Sequence, residues 1–375
     1  MMNHSLPSKG EKVYEKVRAY LQAFISKNPA GSKLPTYMEL NQVLGAKQSA
    51  VERVLQELSY QGLIDRNPRR GIYVSEQAKK SYIGVVFGYG IMEPIASPFW
   101  NLLMLSLRTA LLQRGYEAKI YIENNDLLGY KDARMAAREL VSDIESGRLK
   151  GVIIGQPGVY HQFLSEAVER TRKPAVSLFV RMAGADCFSI ELGKMIYQGI
   201  DELAGLGARR IAVIAHDFFW TGSPLTAEML SPIQNYLSQK GCASDERYFS
   251  CFEASRVIRR THQETGAEVF RLMLERFTPE EYPDGIVVTD DMTTRGIMPL
   301  LGDYQLWPGK NIHIASLVNK GSPTLMGFED NMVRMEIDPF EIAQQMVRAL
   351  EERMNGRQDD RGHIYEYKID RAVKK

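Results

Sequence analysis

Arginine side chains that could neutralise phosphates cluster near the start of this chain. Arg69 and Arg70 follow Asn67 and Pro68 between two short apolar runs, a pattern that predicts a hairpin with a basic tip. Arg53 lies in a run whose apolar residues are spaced to fill one helix face. Such a helix fits the major groove of duplex DNA, and a basic hairpin tip can touch phosphates or the adjacent minor groove. The residues predict a DNA-binding segment, although small domains of this kind also serve as protein-interaction modules.

The charge of the chain is divided unevenly. Residues 1–80 hold 13 Lys and Arg against 7 Asp and Glu, a net charge of +6, whereas the remainder holds 34 against 39, a net charge of −5. A basic head on an acidic body suits a nucleic-acid partner for the head alone. Charge by itself leaves open the alternative of a merely solvated basic face.

Three predicted helices and the hairpin position these side chains. Apolar residues over 13–24 form one face of the first helix, which ends at the breaker residues 28–31. Thr36 can cap the second helix with Glu39 as its capping-box partner. The third helix begins at about Gln48 and ends at Gly62. We expect residues 1–75 to form one domain, joined by a polar linker at 76–81 to the rest of the chain.

Residues 11–75 resemble the GntR-type winged-helix repressors. The resemblance rests on Lys33-Leu34-Pro35-Thr36, Ser49-Ala50-Val51, Leu55-Gln56-Glu57-Leu58, Gly62-Leu63-Ile64 and Arg70-Gly71-Ile72-Tyr73-Val74. It implies DNA contacts from the second helix, the recognition helix and the wing. The residues implied are Thr36, Met38, Lys47, Gln48, Ser49, Glu52, Arg53, Arg69, Arg70 and Gly71.

The head departs from the family pattern at three of these positions. Met38 stands where the second helix usually carries Arg, and Gln48 and Glu52 stand at usual Arg positions of the recognition helix, although Arg53 is kept. A Gln side chain suits adenine by a bidentate pair, whereas Arg favours guanine. These departures change which bases the helix is expected to read.

From Tyr82 onward, apolar strands alternate with amphipathic helices, beginning with the continuous apolar run 83–87. Two successive sets of this alternation predict two doubly wound lobes. Ligands bind such folds at the carboxyl ends of the strands, here in the cleft between the lobes. The predicted fold class is α/β, with an N-terminal winged helix-turn-helix and two doubly wound α/β lobes.

Residues 82–357 resemble the LacI-type effector domain, which is related to periplasmic sugar-binding proteins. The resemblance rests on the runs 204–214 and 283–292 and on the late pair Asp338-Pro339. It implies an effector-binding and dimerisation domain over 82–375. Lobe one is expected at about 82–187 with 339–357, and lobe two at about 188–337 with 358–375. A GntR-type head on a LacI-type body is a known hybrid among sugar-responsive repressors, which implies a carbohydrate-like effector, a DNA operator and a homodimer formed mainly through lobe one.

Candidate effector contacts lie where predicted strands end. Phe99 and Trp100 precede the first helix of lobe one, and either could stack on a sugar face, or both could belong to the core or the dimer surface. Trp220 lies in a loop and could close the pocket from lobe two. Arg181 and Glu191 flank the crossover between the lobes and are further, weaker candidates for effector contacts.

Asp290 follows a buried strand and precedes a helix, so it can cap that helix, and the resemblance also places it on ligand hydroxyls. Sugar sensors of this type usually carry Arg where this chain has Met229, and an acidic pair where it has Val318-Asn319. Losing these groups removes the clamp on neighbouring ring hydroxyls. We expect an effector less polar than a free hexose, such as a deoxy sugar, that uses Asp290, Trp220 and Asn319. The alternative is a cleft that has lost its ligand and serves only dimerisation.

The sequence gives little support for an enzyme. The chain has no Walker-type phosphate loop and no nucleophile elbow, and Gly88-Tyr89-Gly90 is a poor dinucleotide fingerprint. Cys187, Cys242 and Cys251 form no metal-ligand pattern with the six histidines, so neither a metal nor another cofactor is expected. The predicted function is a ligand-responsive transcriptional regulator, and more specifically a repressor of carbohydrate-utilisation genes. The alternative is a cytoplasmic α/β enzyme or binding protein for a small polyol with an accessory winged helix.

The expected location is the cytoplasm. The three cysteines include no close-spaced pair, which favours a reducing compartment. The first residues lack an apolar segment of the signal-peptide kind, and no apolar stretch is long enough to span a bilayer. No membrane partner is predicted.

Overall fold

The computed structural model describes residues 9–88, 91, 97–122, 138–156, 161–216, 227–252 and 261–371. Within these residues, no helix is both long and apolar enough to cross a membrane.

The head consists of three helices and a hairpin. They are α1 (Lys9–Lys27), α2 (Tyr37–Leu44), α3 (Gln48–Tyr60), β1 (Ile64–Asn67) and β2 (Gly71–Val74). The predicted capping box of α2 is confirmed, because Thr36 N donates to Glu39 Oε2 over 2.6 Å and Glu39 N donates to Thr36 Oγ1 over 3.4 Å. The helix ends at Gly45, whose φ of +61° favours glycine. The apolar faces of the three helices meet in one core that includes Leu21, Leu40 and Leu58.

The predicted linker is more structured than its polar composition indicates. Gln77–Lys79 forms a short 3-10 turn, and Ala78 is buried in the core of the head. The head also contacts the body, because Gln22 Nε2 on α1 donates to Ser142 Oγ over 2.5 Å. The first lobe therefore begins directly beside the head.

The body alternates strands and helices, as predicted. Lobe one opens with β3 (Tyr82–Phe87), α4 (Pro98–Gln113), β4 (Ala118–Ile122), α5 (Arg138–Glu145), β5 (Leu149–Ile154), α6 (His161–Thr171), β6 (Ala175–Leu178) and β7 (Ala185–Ile190). Lobe two follows with α7 (Leu192–Gly205), β8 (Ile211–His216), α8 (Ala227–Gln239), β9 (Phe249–Phe252), α9 (His262–Leu274), β10 (Gly285–Val288), α10 (Asp291–Ile297), β11 (His313–Asn319) and β12 (Met332–Ile337). The chain closes with α11 (Pro339–Met354), β13 (Gly362–Tyr365) and β14 (Lys368–Arg371).

Each lobe is built on a six-stranded sheet. The first has the order β13-β7-β6-β5-β3-β4, and all its strands are parallel. The second has the order β14-β12-β11-β10-β8-β9, and only β14 is antiparallel to its neighbour. Apolar strands such as β5 and β10 are buried because helices cover the sheets. The predicted fold class is confirmed.

The chain passes between the two sheets three times, at Glu191, at Asp338 and at residues 366–367. The sheets divide the chain differently from the lobe limits that the resemblance implies. Strand β7 extends the first sheet to Ile190, and the tail expected in lobe two is shared, since β13 joins the first sheet and β14 the second.

A buried carboxylate ties the late part of the chain to lobe one. Asp186 on β7 is fully buried and accepts from Arg353 Nη1 over 2.8 Å, Arg357 Nη2 over 2.5 Å and His363 Nε2 over 2.9 Å. Burial alone would raise the pKa of Asp186, but the hydrogen bonds from Arg357, His363 and Arg353 outweigh it and lower the pKa to about 2. This cluster fixes α11 and β13 onto β7.

Candidate functional site

The outer face of α3 and the hairpin form the candidate DNA surface. Val51, Val54, Leu55 and Leu58 point into the head, which leaves Gln48, Ser49 and Arg53 exposed on the opposite face. A helix with a free face of this kind can enter a major groove.

The tip of the hairpin is fixed by its own backbone. Asn67 Oδ1 accepts from the backbone N–H of Arg69 over 3.0 Å and from that of Arg70 over 3.1 Å. Gly71, with φ of +111°, returns the chain into β2. Arg69 and Arg70 therefore lie exposed on an ordered turn, where they can reach phosphates.

Glu52, one of the predicted DNA contacts, is already paired with another side chain of the head. Arg66 on β1 donates to the Glu52 carboxylate on α3 through Nη1 over 2.9 Å and through Nη2 over 2.9 and 3.0 Å. The hydrogen bonds from Arg66 lower the pKa of Glu52. Arg53 lies with its Cζ 4.7 Å from the ring centroid of Tyr14 on α1.

The remaining predicted contacts surround α3. Met38 near the start of α2 is 79% exposed, and Lys47 is exposed immediately before α3. Thr36 is exposed and caps α2, whereas Glu52 and Gly71 are half-buried. The fold thus brings the ten predicted DNA contacts onto α2, α3 and the wing.

The candidate effector site lies between the lobes. The chain leaves the first sheet from the carboxyl end of β7 and leaves the second from the carboxyl end of β12. All the other strands except β14 run parallel to β7 in the first sheet or to β12 in the second. The carboxyl ends of the strands in both sheets therefore border the cleft between the lobes, which the crossings span. This is where doubly wound sheets bind ligands.

Asp290 lies at that edge of lobe two and does cap a helix. Its Oδ2 accepts from Thr293 N over 2.9 Å and from Thr293 Oγ1 over 2.7 Å, and lies 3.1 Å from His262 Nδ1. Burial would raise the pKa of Asp290, but the hydrogen bond and charge of His262 and the Thr293 hydrogen bonds outweigh it and lower the pKa. The Asp290 carboxylate is therefore ionised at the N-terminus of α10.

Close packing of two helices holds His262 and Asp290 together. A Cβ added to Gly296 on α10 would lie 1.9 Å from the carbonyl oxygen of Gln263 on α9. Only glycine therefore allows the last turn of α10 to approach the first turn of α9 this closely.

The neighbouring Asp291 is a site residue that the sequence reasoning missed. It is fully buried, and its Oδ2 accepts from Asn319 Nδ2 over 3.1 Å, whereas its Oδ1 has no hydrogen-bond partner in the described part of the chain. Burial and the charge of Asp290 raise the pKa of Asp291 to about 7. Asn319, a predicted effector contact, lies beside Asp291 and donates its amide N–H to that carboxylate. The doubled Asp290-Asp291 after a buried strand was the available signal.

Lobe one contributes aromatic side chains. Phe99 is only 6% exposed and packs in the core, whereas Trp100 is half-buried. The Trp100 ring meets Phe99 edge-on at 5.0 Å and Phe179 at 6.1 Å between centroids. Phe179 follows β6 with an unusual φ of +67°, and Gln156 after β5 has a buried Oε1 without a partner among the described residues. Neither Phe179 nor Gln156 was predicted.

Of the other predicted contacts, the structure describes Arg181 and Glu191. Arg181 is exposed between β6 and β7, and Glu191 forms an ion pair with Lys194 at the first crossing. Trp220 and the side chain of Met229 lie outside the described residues. Within the part of the chain that the structure covers, no group of His, Cys, Asp and Glu could hold a metal ion.

Comparison with known proteins identifies the head. Residues 10–74 match the family model of bacterial regulatory proteins of the gntR family. The head is a gntR-family DNA-binding domain. A search of curated protein sequences found no match to this chain.

The body resembles solved regulators in fold. The chain superposes on a transcriptional regulator CelR in complex with cellobiose with a TM-score of 0.57 at 17% identity, over 89% of this chain and 94% of that one. It superposes on the transcription regulator CcpA of Lactococcus lactis with a TM-score of 0.56 at 16% identity, over 79% of this chain and all of that one. A LacI-family sugar-binding regulator from Escherichia coli, complexed with phosphate, gives 0.57 at 15% identity, over 78% of this chain and 99% of that one.

At these identities the likeness shows the fold alone. The chain thus joins a gntR-family DNA-binding domain to a body that has the fold of these solved regulators.

Proposed function

We propose that this protein represses carbohydrate-utilisation genes in the cytoplasm and that a small sugar-like effector changes its affinity for operator DNA. The observation that carries the proposal is the presence, in one chain, of an exposed basic wing and of a cleft bordered by buried carboxylates. The effector closes the two lobes, changes the relative placement of the heads in a dimer and thereby weakens operator binding. The crossings at Glu191, Asp338 and residues 366–367 are where this closure bends the chain.

The side chains of the cleft suit hydroxyl groups. Asp290 is an acceptor, and Asp291, with a pKa of about 7, is present near neutral pH in both donating and accepting forms. A hydroxyl both donates and accepts, so it can satisfy either form. The half-buried Trp100 offers an apolar ring to a sugar face. The cellobiose in the CelR complex and the sugar-binding description of the Escherichia coli regulator support the same class of ligand.

The effector should carry fewer hydroxyl groups than a free hexose. The Asn319 amide is already used by Asp291, which leaves one fewer side chain to bind a hydroxyl. A deoxy sugar matches a site of carboxylates and an aromatic ring whose amide is already engaged.

The Asp290→Ala variant tests this site. A thermal-shift screen with sugars and deoxy sugars first identifies a ligand, and the variant is then expected to bind it at least about 10-fold more weakly, because a charge-assisted hydrogen bond is lost. Its operator affinity without ligand should be unchanged, since the head is remote from Asp290. Gel-shift titrations with and without the ligand provide the measurement.

The matched control is Thr261→Ala, which removes the hydrogen-bonded cap of α9 but no carboxylate. It should keep the effector response. A normal response in Asp290→Ala would show that the pocket assignment is wrong, and turnover of the bound sugar by the purified protein would contradict the regulator in favour of an enzyme.

We further propose that the protein is a homodimer through lobe one. On α4, Leu105 is 55% and Leu112 71% exposed, and they lie seven residues apart on one helix face. On the same side of the sheet, Ile120 and Ile122 are partly exposed on β4, which is the outermost strand of its sheet among the described residues. A second copy is the occupant that this face fits best, because two-fold dimers match palindromic operators and a single head covers few base pairs.

The variant Leu112→Glu with Ile120→Glu tests the dimer. Burying two carboxylates in the contact is strongly unfavourable, so the double variant should sediment as a monomer at micromolar concentration while the unchanged protein is a dimer. Leu272→Glu, an exposed leucine of α9 in lobe two, is the control and should remain dimeric. A monomeric unchanged protein, with and without DNA, would refute the proposal.

A further inference from the structure

The arginines next to the recognition helix are occupied by other protein groups. Arg66 donates three N–H bonds of 2.9 to 3.0 Å to Glu52, and Arg53 is held over the ring of Tyr14, which is buried against α3. A guanidinium reads guanine by aligning two donors with O6 and N7, which requires that both donors are free. Arg66 is not presented in that way. The ring contact of Arg53 does not use its N–H donors, but it holds the guanidinium beside α1, so we assign Arg53 to phosphates rather than to a base.

Gln48 is the group best placed to contact a base edge. It is the first residue of α3, its side chain is exposed, and it makes no side-chain hydrogen bond in the described part of the head. The N-terminal residues of a recognition helix are the ones that contact bases. A Gln amide presents one donor and one acceptor, which pair with N7 and N6 of adenine.

Glu52 lies next to Gln48 on the helix surface. The two residues are four positions apart, so their side chains are neighbours. Arg66 fixes the Glu52 carboxylate in place and balances its charge against nearby phosphates, while the oxygens remain acceptors. The major-groove edge of guanine offers two acceptors, O6 and N7, which would face this carboxylate and be repelled. The N6 amino group of adenine is a donor and is not repelled by the carboxylate.

We propose that α3 reads an adenine in each operator half-site, with Gln48 selecting it and Glu52 excluding guanine from the same position. The exposed Met38 at the start of α2 adds an apolar contact of the kind that suits a thymine methyl group. This proposal rests on the operator binding proposed above and names what that surface recognises.

The test is a selection of bound duplexes from a randomised pool, followed by competition among duplexes that differ at one base pair. The full-length protein should prefer adenine to guanine at one position of each half-site by about 10-fold, the usual discrimination of a bidentate pair. Gln48→Ala should reduce this ratio to about 3-fold, because the bidentate pair is lost and only the repulsion of guanine by Glu52 remains. Glu52→Ala also releases Arg66 and is therefore expected to strengthen binding to all duplexes. The measurement for this variant is the ratio of affinities for adenine and guanine duplexes, which should fall because guanine is no longer repelled.

Tyr60→Ala is the control, because Tyr60 is the last residue of the same helix and is 95% exposed. It should leave the adenine preference unchanged. Guanine selection by the unchanged protein, or an adenine preference that Gln48→Ala leaves at its full value, would overturn this inference while leaving operator binding intact. Absence of any salt-sensitive duplex binding would overturn the inference and the proposed function together.

Discussion

Replacing Asp186 by alanine is expected to destabilise lobe one by about 3 to 5 kcal/mol, the usual cost of breaking a buried ion pair. The substitution leaves Arg353 and Arg357 buried without the carboxylate that now accepts from both. It also releases His363 on β13, so the late part of the chain loses its attachment to β7. Urea unfolding monitored by circular dichroism gives the change in the free energy of unfolding.

The control is Asp359→Ala, which removes a carboxylate that is 56% exposed and pairs with Arg361. Exposed pairs contribute little, so this variant should stay within about 1 kcal/mol of the unchanged protein. Equal loss in the two variants would show that Asp186 does not hold the lobe together.

The same residue predicts a pH dependence with a definite sign. The pKa of Asp186 is lowered to about 2 in the folded protein. Its stabilisation is therefore fully present above the unfolded pKa of about 3.9 and is lost as the pH falls towards 2. Between those limits the unchanged protein should lose roughly 2 kcal/mol more than Asp186→Ala.

Operator affinity is expected to fall on the order of 10³-fold between 50 and 200 mM salt. In a dimer the two heads present Arg53, Arg69 and Arg70 twice, which makes about six contacts to phosphates, and each contact releases counterions. Fluorescence anisotropy with a labelled operator measures the slope of log affinity against log salt. Arg69→Ala with Arg70→Ala should reduce that slope by about 3 to 4, because four contacts per dimer are removed.

Lys310→Ala removes an exposed positive charge from the body and should not alter the slope. Duplex binding that persists after deletion of residues 1–75, or that does not respond to salt, would contradict the assignment of the head as the DNA-binding element.

The regular parts of the fold could be predicted from the sequence because their signals are local. The capping box at Thr36 and Glu39 and the apolar run of β3 each depend on residues close in the chain. Strands β7 and β13 gave weaker signals. Asp186 interrupts the apolar pattern of β7, and Gly362–Tyr365 has one buried residue, because β13 lies at the sheet edge. Their pairing is set by contacts over 170 residues apart, such as that of His363 with Asp186.

The sequence indicated candidate positions at strand ends, but not the chemistry of the residues found there. Strand ends indicated Asp290 and Asn319, and the structure places both at the cleft. The sequence did not distinguish Asp290 from Asp291, because the difference arises from burial and from the partners His262 and Asn319, which neighbour them only after folding. Likewise, Phe99 and Trp100 are adjacent in the chain, yet only the second remains partly exposed.

The last two strands have a consequence for how the protein matures during synthesis. Strands β13 and β14 are separated by two residues, and each completes the edge of a different sheet. Neither lobe can close its sheet until almost the whole chain has left the ribosome, whereas the head, finished by Val74, can fold first. A nascent chain stalled before residue 362 should therefore display a folded DNA-binding head on an incomplete body with two exposed sheet edges, and it should depend on chaperones more than the released protein does.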